Sequence, residues 1–385
     1  MRKRYIYKVF FFILLLAIIW RPLLTVYSLR SVYFSGGYAK QYPQLKSAYD
    51  SSQYVKKKNP GIIPDETFES FAGGIFLRGL NPILIVHEHP PLGRYIIGLS
   101  IFLFDNATTL IPPLLFISFL GIFLIAKMTF NNTILALFPL LIYANEQLVL
   151  SKLDYVPLLE PIQLPFIIFT LYFFLKGLMD KKKIAVWFSL SSCMLGFVIS
   201  IRFFILGIAV LTAMLGYFFL RRDFSKTFFS FLFSLPLALV VLLLSYTKTI
   251  QDGYSILQIF GVQKYIFFYH QSQLVNRFSF WDLILFNRWH TWWADQKIIS
   301  DSTWHIGWPI AVVLTVVFLF FILKEKRVLN KAETVVFLWV FAYSALLSVG
   351  MATTRYFLPL LPFLYILAFD FIIHIWRRYF YEKKG

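Results

Sequence analysis

The sequence predicts an all-α protein that crosses the membrane about ten times and carries amphipathic helices on one membrane face. Of its 385 residues, 59% are hydrophobic and only 15% are charged, whereas an average soluble domain has about 25% charged residues. Apolar runs approaching the roughly 20 residues that a spanning helix needs recur along the chain. Basic residues fall in alternate short loops between these runs, which is typical of a multi-pass membrane protein.

Ten apolar runs are predicted to be spans. They lie near 6–28, 110–128, 133–150, 162–178, 184–201, 203–220, 228–247, 306–323, 334–351 and 356–376. The apolar stretch 92–104 is too short to span alone, and we expect an interfacial helix or half of a span there. The basic N-terminus followed by an apolar run resembles a signal peptide. Because Trp20, Arg21 and Pro22 stand where a cleavage site needs small residues, we expect a retained first helix.

The basic loops also predict the orientation of the chain. They carry Arg2, Lys3, Arg4 and Lys8, then Lys127, then Lys176 and Lys181 to Lys183, then Arg221, Arg222 and Lys226, then Lys324, Lys326, Arg327 and Lys331, and finally Arg377, Arg378, Lys383 and Lys384. Because short loops rich in Lys and Arg stay in the cytoplasm, both termini are predicted to be cytoplasmic. One membrane domain, 1–385, would then have two long external loops, 30–109 and 248–305.

The net charge of +18 would suggest nucleic acid as a partner of a soluble protein. Here the basic residues lie in short loops between apolar runs, so the partner they predict is the lipid bilayer and not nucleic acid. The single cysteine, Cys193, lies within an apolar run. A disulfide framework and a cysteine-based metal site are therefore both excluded.

The first external loop contains an acidic pair, Asp65 and Glu66, directly after Pro64. Proline followed by acidic residues is typical of a helix start, where the helix dipole favours negative charge. Apolar residues then follow at helical spacing, and 65–78 is predicted to be an amphipathic helix on the membrane surface. On this pattern alone the pair is either a solvated helix cap or part of an active site.

The same loop contains His87, Glu88 and His89, followed by Pro90 and Pro91. Two imidazoles at alternate positions suggest a metal, but two ligands do not make a zinc site. The consecutive prolines account equally well for a structural turn. The two histidines are therefore compatible with a divalent metal but do not by themselves define a metal site.

The run from His89 to Arg94, His-Pro-Pro-Leu-Gly-Arg, resembles the His-Pro-Pro-Leu-Gly-Lys signature of protein O-mannosyltransferases. These enzymes belong to the GT-C class, which uses polyprenyl-phosphate sugars. Asp65 and Glu66 occupy the place of that family's acidic pair. Glu88 matches the Glu before Lys-Pro-Pro in the related lipid A aminoarabinose transferases. The chain departs from the family in having Arg94 for lysine and no room for a large soluble sugar-binding domain.

Two later segments resemble the same class. The segment 355–362, Arg-Tyr-Phe-Leu-Pro-Leu-Leu-Pro, is similar to the Arg-Tyr-x-x-Pro-x-x-Pro that begins a late span. In the second external loop, Tyr269 and His270 are followed by Ser-Phe-Trp and then by tryptophans that include Trp292, as in the mannosyltransferases. These tryptophans also fit an interfacial aromatic belt.

The resemblance implies a GT-C-like fold and a role for each matching residue. Asp65 would be the general base, with Glu66 in support. The donor phosphate would be bound by His89, Arg94 and Arg355, because arginine presents a planar fork suited to phosphate oxygens. The acceptor or the sugar would be bound or oriented by Glu88, Asp154, His270 and Trp292. Glu160 and Arg202 lie at the outer ends of spans and are further, less specific candidates.

The sequence therefore predicts an inverting transferase that moves a sugar from a polyprenyl-phosphate donor to a hydroxyl of a protein, lipid or glycan acceptor. The predicted site lies on the extracytoplasmic face. A polyprenyl-linked glycan ligase or polymerase is the alternative within enzymes, since it also has a large external loop. A transporter is less favoured because the halves of the chain show no matching pair of broken helices.

Overall fold

The structure is a computed structural model that describes residues 2–86, 88–202, 204–271, 276–291, 297–350 and 352–380. At 2–4, 270, 271 and 380 it describes the backbone alone. The helices are α1 Arg2–Ser28, α2 Arg30–Phe34, α3 Tyr38–Asp50, α4 Asp65–Leu77, α5 Pro82–Ile85, α6 Leu92–Phe104, α7 Ile111–Phe130, α8 Leu137–Ala144, α9 Gln147–Asp154, α10 Leu159–Met179, α11 Ile184–Ile201, α12 Ile205–Arg221, α13 Lys226–Ser234, α14 Pro236–Ser245, α15 Thr247–Gln251, α16 Ile256–Gln271, α17 Ser279–Phe286, α18 Gly307–Glu325, α19 Lys331–Val349 and α20 Leu361–Phe380.

The remaining regular structure is small. Two short antiparallel strands, β1 Trp289–His290 and β2 Ile298–Ile299, pair with Trp289 opposite Ile299. Two 3₁₀ turns cover Lys181–Lys183 and Thr354–Phe357. The predicted all-α class is thus confirmed.

Seven helical segments in the described part of the chain are long and apolar enough to cross a membrane. They are Tyr5–Ser28, Ile111–Phe130, Leu159–Met179, Lys181–Ile201, Lys226–Ser245, Gly307–Glu325 and Lys331–Val349. The runs predicted at 203–220 and 356–376 are also helical, as α12 and α20. The chain is therefore a multi-pass membrane protein.

The run predicted as one span at 133–150 is interrupted, because α8 ends before Asn145 and α9 begins after Glu146. The Asn145 side chain donates to the carbonyl oxygens of Ala17 and Leu141, and the Asn145 carbonyl accepts from Arg21. Backbone breaks at membrane depth need such partners, because lipid offers no hydrogen bonds. The sequence marks this break locally, because Asn145, Glu146 and Gln147 are three consecutive polar residues within the predicted span.

Helix α10 is the central helix, and its position determines where the site forms. Two-thirds of its most apolar segment is buried within the protein, compared with about one-fifth for α1. It packs mainly against α7 and α11. Because α10 is central in the bundle, its first turn, which carries Glu160, is surrounded by other helices at one end of the bundle.

Helix α4 packs against α6 in the segment between α1 and α7. Its buried side includes Phe68, Phe71, Ile75 and Phe76, which confirms the predicted amphipathic stripe. A Cβ at Gly73 would come within 2.6 Å of the Ile97 side chain on α6. Glycine thus permits the close crossing that fixes the start of α4 relative to the start of α6.

Candidate active site

Asp65 is the first residue of α4, as predicted, and follows Pro64 at the N-cap. Its carboxylate forms an ion pair with Arg355, with 2.6 Å between Oδ2 and Nη1. The Asp65 side chain keeps 57% of its surface exposed. The structure therefore joins two predicted site residues that lie 290 positions apart, and it leaves the carboxylate open to a ligand.

Arg355 lies in the 3₁₀ turn Thr354–Phe357, just before α20. Thr354 anchors this turn by donating its hydroxyl to Asp301 Oδ2 at 2.8 Å. The Arg355 Nε atom lies 3.1 Å from Glu160 Oε1, so one guanidinium serves two carboxylates. Burial alone would lower the pKa of Arg355, but Glu160 and Asp65 outweigh it and the pKa is raised.

Glu160 receives a second arginine, because Arg202 Nη1 donates to its Oε1 at 2.6 Å. The other edge of Arg202 lies 3.4 Å from the Tyr356 hydroxyl. Glu160 is only 8% exposed and sits in the first turn of α10, where the helix dipole favours a carboxylate. Asp65, Glu160, Arg202 and Arg355 together form what we call the acid–arginine cluster. Sequence alone had ranked two of its members, Glu160 and Arg202, low.

A second ion pair lies one helical turn along α4. Arg94 is fully buried and forms two parallel contacts with Glu69, at 2.8 Å from Nε to Oε2 and 2.9 Å from Nη2 to Oε1. Its Nη1 is 3.4 Å from the carbonyl oxygen of His89. Burial raises the pKa of Glu69 to about 7, although Arg94 opposes this shift. The Arg94 guanidinium, predicted to bind phosphate, is therefore directed to Glu69 and the proline turn.

Glu88 links the segment 30–109 to the segment 248–305. The Tyr269 hydroxyl of α16 donates to its carboxylate, and Tyr54 is hydrogen-bonded to it as well. Burial, followed by the charge of Glu88, raises the pKa of Tyr54. The Tyr54 ring stacks on Phe68 of α4, with 4.3 Å between ring centroids. Glu88 is thus held next to the helix that carries Asp65.

The other predicted residues are placed as follows. Glu66 and His89 are half-buried, and Asp154 is exposed at the end of α9. No hydrogen bond or ion pair joins Asp154 to the acid–arginine cluster in the described part of the chain. Trp292 lies outside the described residues, as does the side chain of His270.

Metal binding finds no support among the residues that the structure describes. Within them, no group of three or more His, Cys, Asp or Glu side chains is arranged to hold a metal ion. His87 lies outside the described residues, so the predicted His87 and His89 pair is not tested.

Comparison with known proteins shows which family and which solved structures the chain resembles. Residues 88–248 match the model of the dolichyl-phosphate-mannose-protein mannosyltransferase family. Two solved structures of ArnT from Cupriavidus metallidurans, one in the apo state and one bound to undecaprenyl phosphate, have a similar fold. Each has a TM-score of 0.59 and 16% sequence identity over 92% of this chain. No curated protein matches the chain by sequence.

The chain covers 61% and 60% of the two ArnT chains, so it spans about three-fifths of their length. Its fold is that of the polytopic, all-α GT-C membrane proteins. The resemblance inferred from the proline signature and the acidic pair is confirmed: the chain is similar to the superfamily of the mannosyltransferases and ArnT.

Proposed function

We propose that this protein is a glycosyltransferase that moves a sugar from a polyprenyl-phosphate donor to an acceptor hydroxyl, with inversion at the anomeric carbon. The observation that carries this proposal is the exposed Asp65 carboxylate, which Arg355 holds in place at the edge of the membrane bundle. Both ArnT structures support the class by their fold, and one of them binds undecaprenyl phosphate.

In this reaction Asp65 is the general base. It takes the proton of the acceptor hydroxyl while the acceptor oxygen forms a bond to the anomeric carbon. The bond between that carbon and the phosphate oxygen breaks on the opposite face, and the polyprenyl phosphate leaves with the electron pair. A single carboxylate is sufficient, because the departing phosphate is a stable anion and does not need the general acid that protonates the leaving group in an inverting hydrolase.

The acid–arginine cluster organises the cations of the site. Glu160 lies between Arg202 and Arg355 and holds the two guanidiniums side by side. A preorganised positive region stabilises the charge that develops on a departing phosphate. Arg355 also orients Asp65, so a single residue couples the base to this region.

We assign Arg94 a positioning role, because its guanidinium joins Glu69 to the His89 carbonyl. It would hold the proline turn, and His89 with it, at the site. His89 remains our candidate for phosphate contact. Glu66, Glu88, Asp154, His270 and Trp292 remain candidates for binding or orienting the acceptor or the sugar.

We place the site on the extracytoplasmic face and both termini in the cytoplasm. The support for this is the basic composition of the short loops on the other face. The acceptor would be a protein, lipid or glycan hydroxyl that reaches this face.

The test is sugar transfer from a synthetic polyprenyl-phosphate sugar by purified protein in lipid nanodiscs. We expect Asp65→Asn to lower turnover by roughly 10²–10⁴-fold, the usual contribution of a general base. Asp50→Asn is the matched control, since Asp50 is also an exposed, ion-paired aspartate of the first external loop. Parental turnover in Asp65→Asn would refute the assignment of the base, and failure of the parent to bind any polyprenyl donor would refute the class.

A further inference from the structure

Lys152 is a half-buried cation near the acid–arginine cluster. The sequence motifs did not point to this lysine. It lies in the last turn of α9. Glu160, Arg355 and Asp301 are all close enough to act on its charge. Two of these three charged groups, Glu160 and Arg355, belong to the acid–arginine cluster, although α9 itself carries no residue of the cluster.

Lys152 differs from the arginines of the cluster in having no partner. In the described part of the chain, its ammonium makes no hydrogen bond and has no carboxylate within 4.0 Å. Its nearest aromatic contact is the Tyr155 ring, 6.0 Å from the ring centroid. Arg202 and Arg355, in contrast, are already bound to Glu160, and Arg355 is bound to Asp65 as well.

A half-buried ammonium without a partner is unfavourable, because it loses water without gaining a hydrogen-bond acceptor. Charged residues kept in such positions of membrane proteins usually face a cavity or a ligand. Lysine offers three donors and a compact positive charge, which suits phosphate oxygens. Burial lowers the pKa of Lys152, and Glu160 only partly opposes this, so an anionic ligand would stabilise the charged form.

We propose that the Lys152 ammonium binds the phosphate oxygens of the polyprenyl-phosphate donor. This inference rests on the proposed function and deepens it by assigning the phosphate contact. Lys152 then supplies the unengaged donors, while Arg202 and Arg355 supply the surrounding positive charge. As the bond to the sugar breaks, Lys152 holds the charge that builds up on the departing phosphate.

The test measures binding of undecaprenyl phosphate, without a sugar, to the full chain in nanodiscs of neutral lipid. We expect Lys152→Met to weaken binding by roughly 10–100-fold, the usual effect of losing a hydrogen bond to a charged group. Lys152→Arg retains the charge and should bind within a few fold of the parent. Lys46→Met is the matched control, since Lys46 is an exposed lysine of the first external loop, and it should bind like the parent.

A pH series on the parent provides a second test that needs no stable Lys152→Met protein. Parental affinity should fall at alkaline pH as Lys152 loses its proton, and Lys152→Arg should keep its affinity there. If the parent binds and Lys152→Met binds equally well, this inference is refuted and the proposed function stands. If the parent does not bind undecaprenyl phosphate, the proposed function fails first.

Discussion

Two ion pairs on α4 have the same chemistry and opposite surroundings. The pair of Asp65 with Arg355 is open to solvent and joins α4 to the segment before α20. The pair of Glu69 with Arg94 lies one turn further along the helix and is almost completely buried against α6. An exposed pair contributes little to stability, whereas breaking a buried pair is strongly destabilising. The first pair is therefore suited to chemistry and the second to holding the site together.

The largest expected effect on stability is that of Glu69→Leu. This change leaves the Arg94 charge buried without its carboxylate partner, which costs about 3–5 kcal/mol of unfolding free energy. The double variant Glu69→Leu with Arg94→Met removes both charges and should recover most of this loss. Thermal unfolding in detergent checks both variants, with Asp65→Asn as the exposed counterpart that should unfold near the parental temperature. Equal stability of the single and double variants would contradict the interpretation of the buried pair.

Arg355→Lys tests the exposed pair. Lysine keeps the positive charge but cannot contact Asp65 and Glu160 with two edges at once. We expect kcat to fall roughly 10–100-fold, equivalent to losing one or two charged hydrogen bonds, while the unfolding temperature changes little. Arg30→Lys, at an exposed arginine near the end of α1, is the control. A parental kcat in Arg355→Lys would separate Arg355 from the reaction.

The buried pair should contribute to the pH dependence of stability. Burial raises the pKa of Glu69 from its ordinary 4.5 to about 7, so the folded state binds a proton that the unfolded chain releases between these values. The stabilisation is complete below pH 4.5 and is lost as the pH rises through 7. Unfolding temperatures across this range should therefore decline in the parent and decline less in Glu69→Gln. An unchanged slope in Glu69→Gln would show that another group titrates there.

The smallest expected effect is that of Tyr269→Phe, which removes the hydroxyl that α16 donates to Glu88. The loss of one hydrogen bond costs about 1 kcal/mol. We expect a small rise in KM for the acceptor, because Glu88 is then held by Tyr54 alone among the contacts described above. Tyr265→Phe, on the same helix, is the control. Loss of folding in Tyr269→Phe would mean that this contact holds the external loops together.

Part of the site could be predicted from the sequence because its signals are local. Pro64 followed by acidic residues predicted the helix start at Asp65, and the spacing of Phe68 and Phe71 predicted its buried face. The same spacing places Glu69 among these apolar positions. A carboxylate there is buried and needs a partner, so the pattern also predicts a buried ion pair. Arg94 is the partner, and it lies 25 residues away.

The sequence by itself determined the membrane class, most of the long apolar helices and the helix that presents Asp65. These follow from composition, hydropathy and periodicity, which depend on neighbouring residues. Only the tertiary structure decided that Arg355 binds Asp65 across 290 positions and that Glu160 joins two arginines. It also left the Lys152 ammonium without a hydrogen bond or ion pair among the residues that the structure describes. Such pairings depend on how the helices pack around α10, because packing decides which helix ends lie close together. Hydropathy contains no information about this packing.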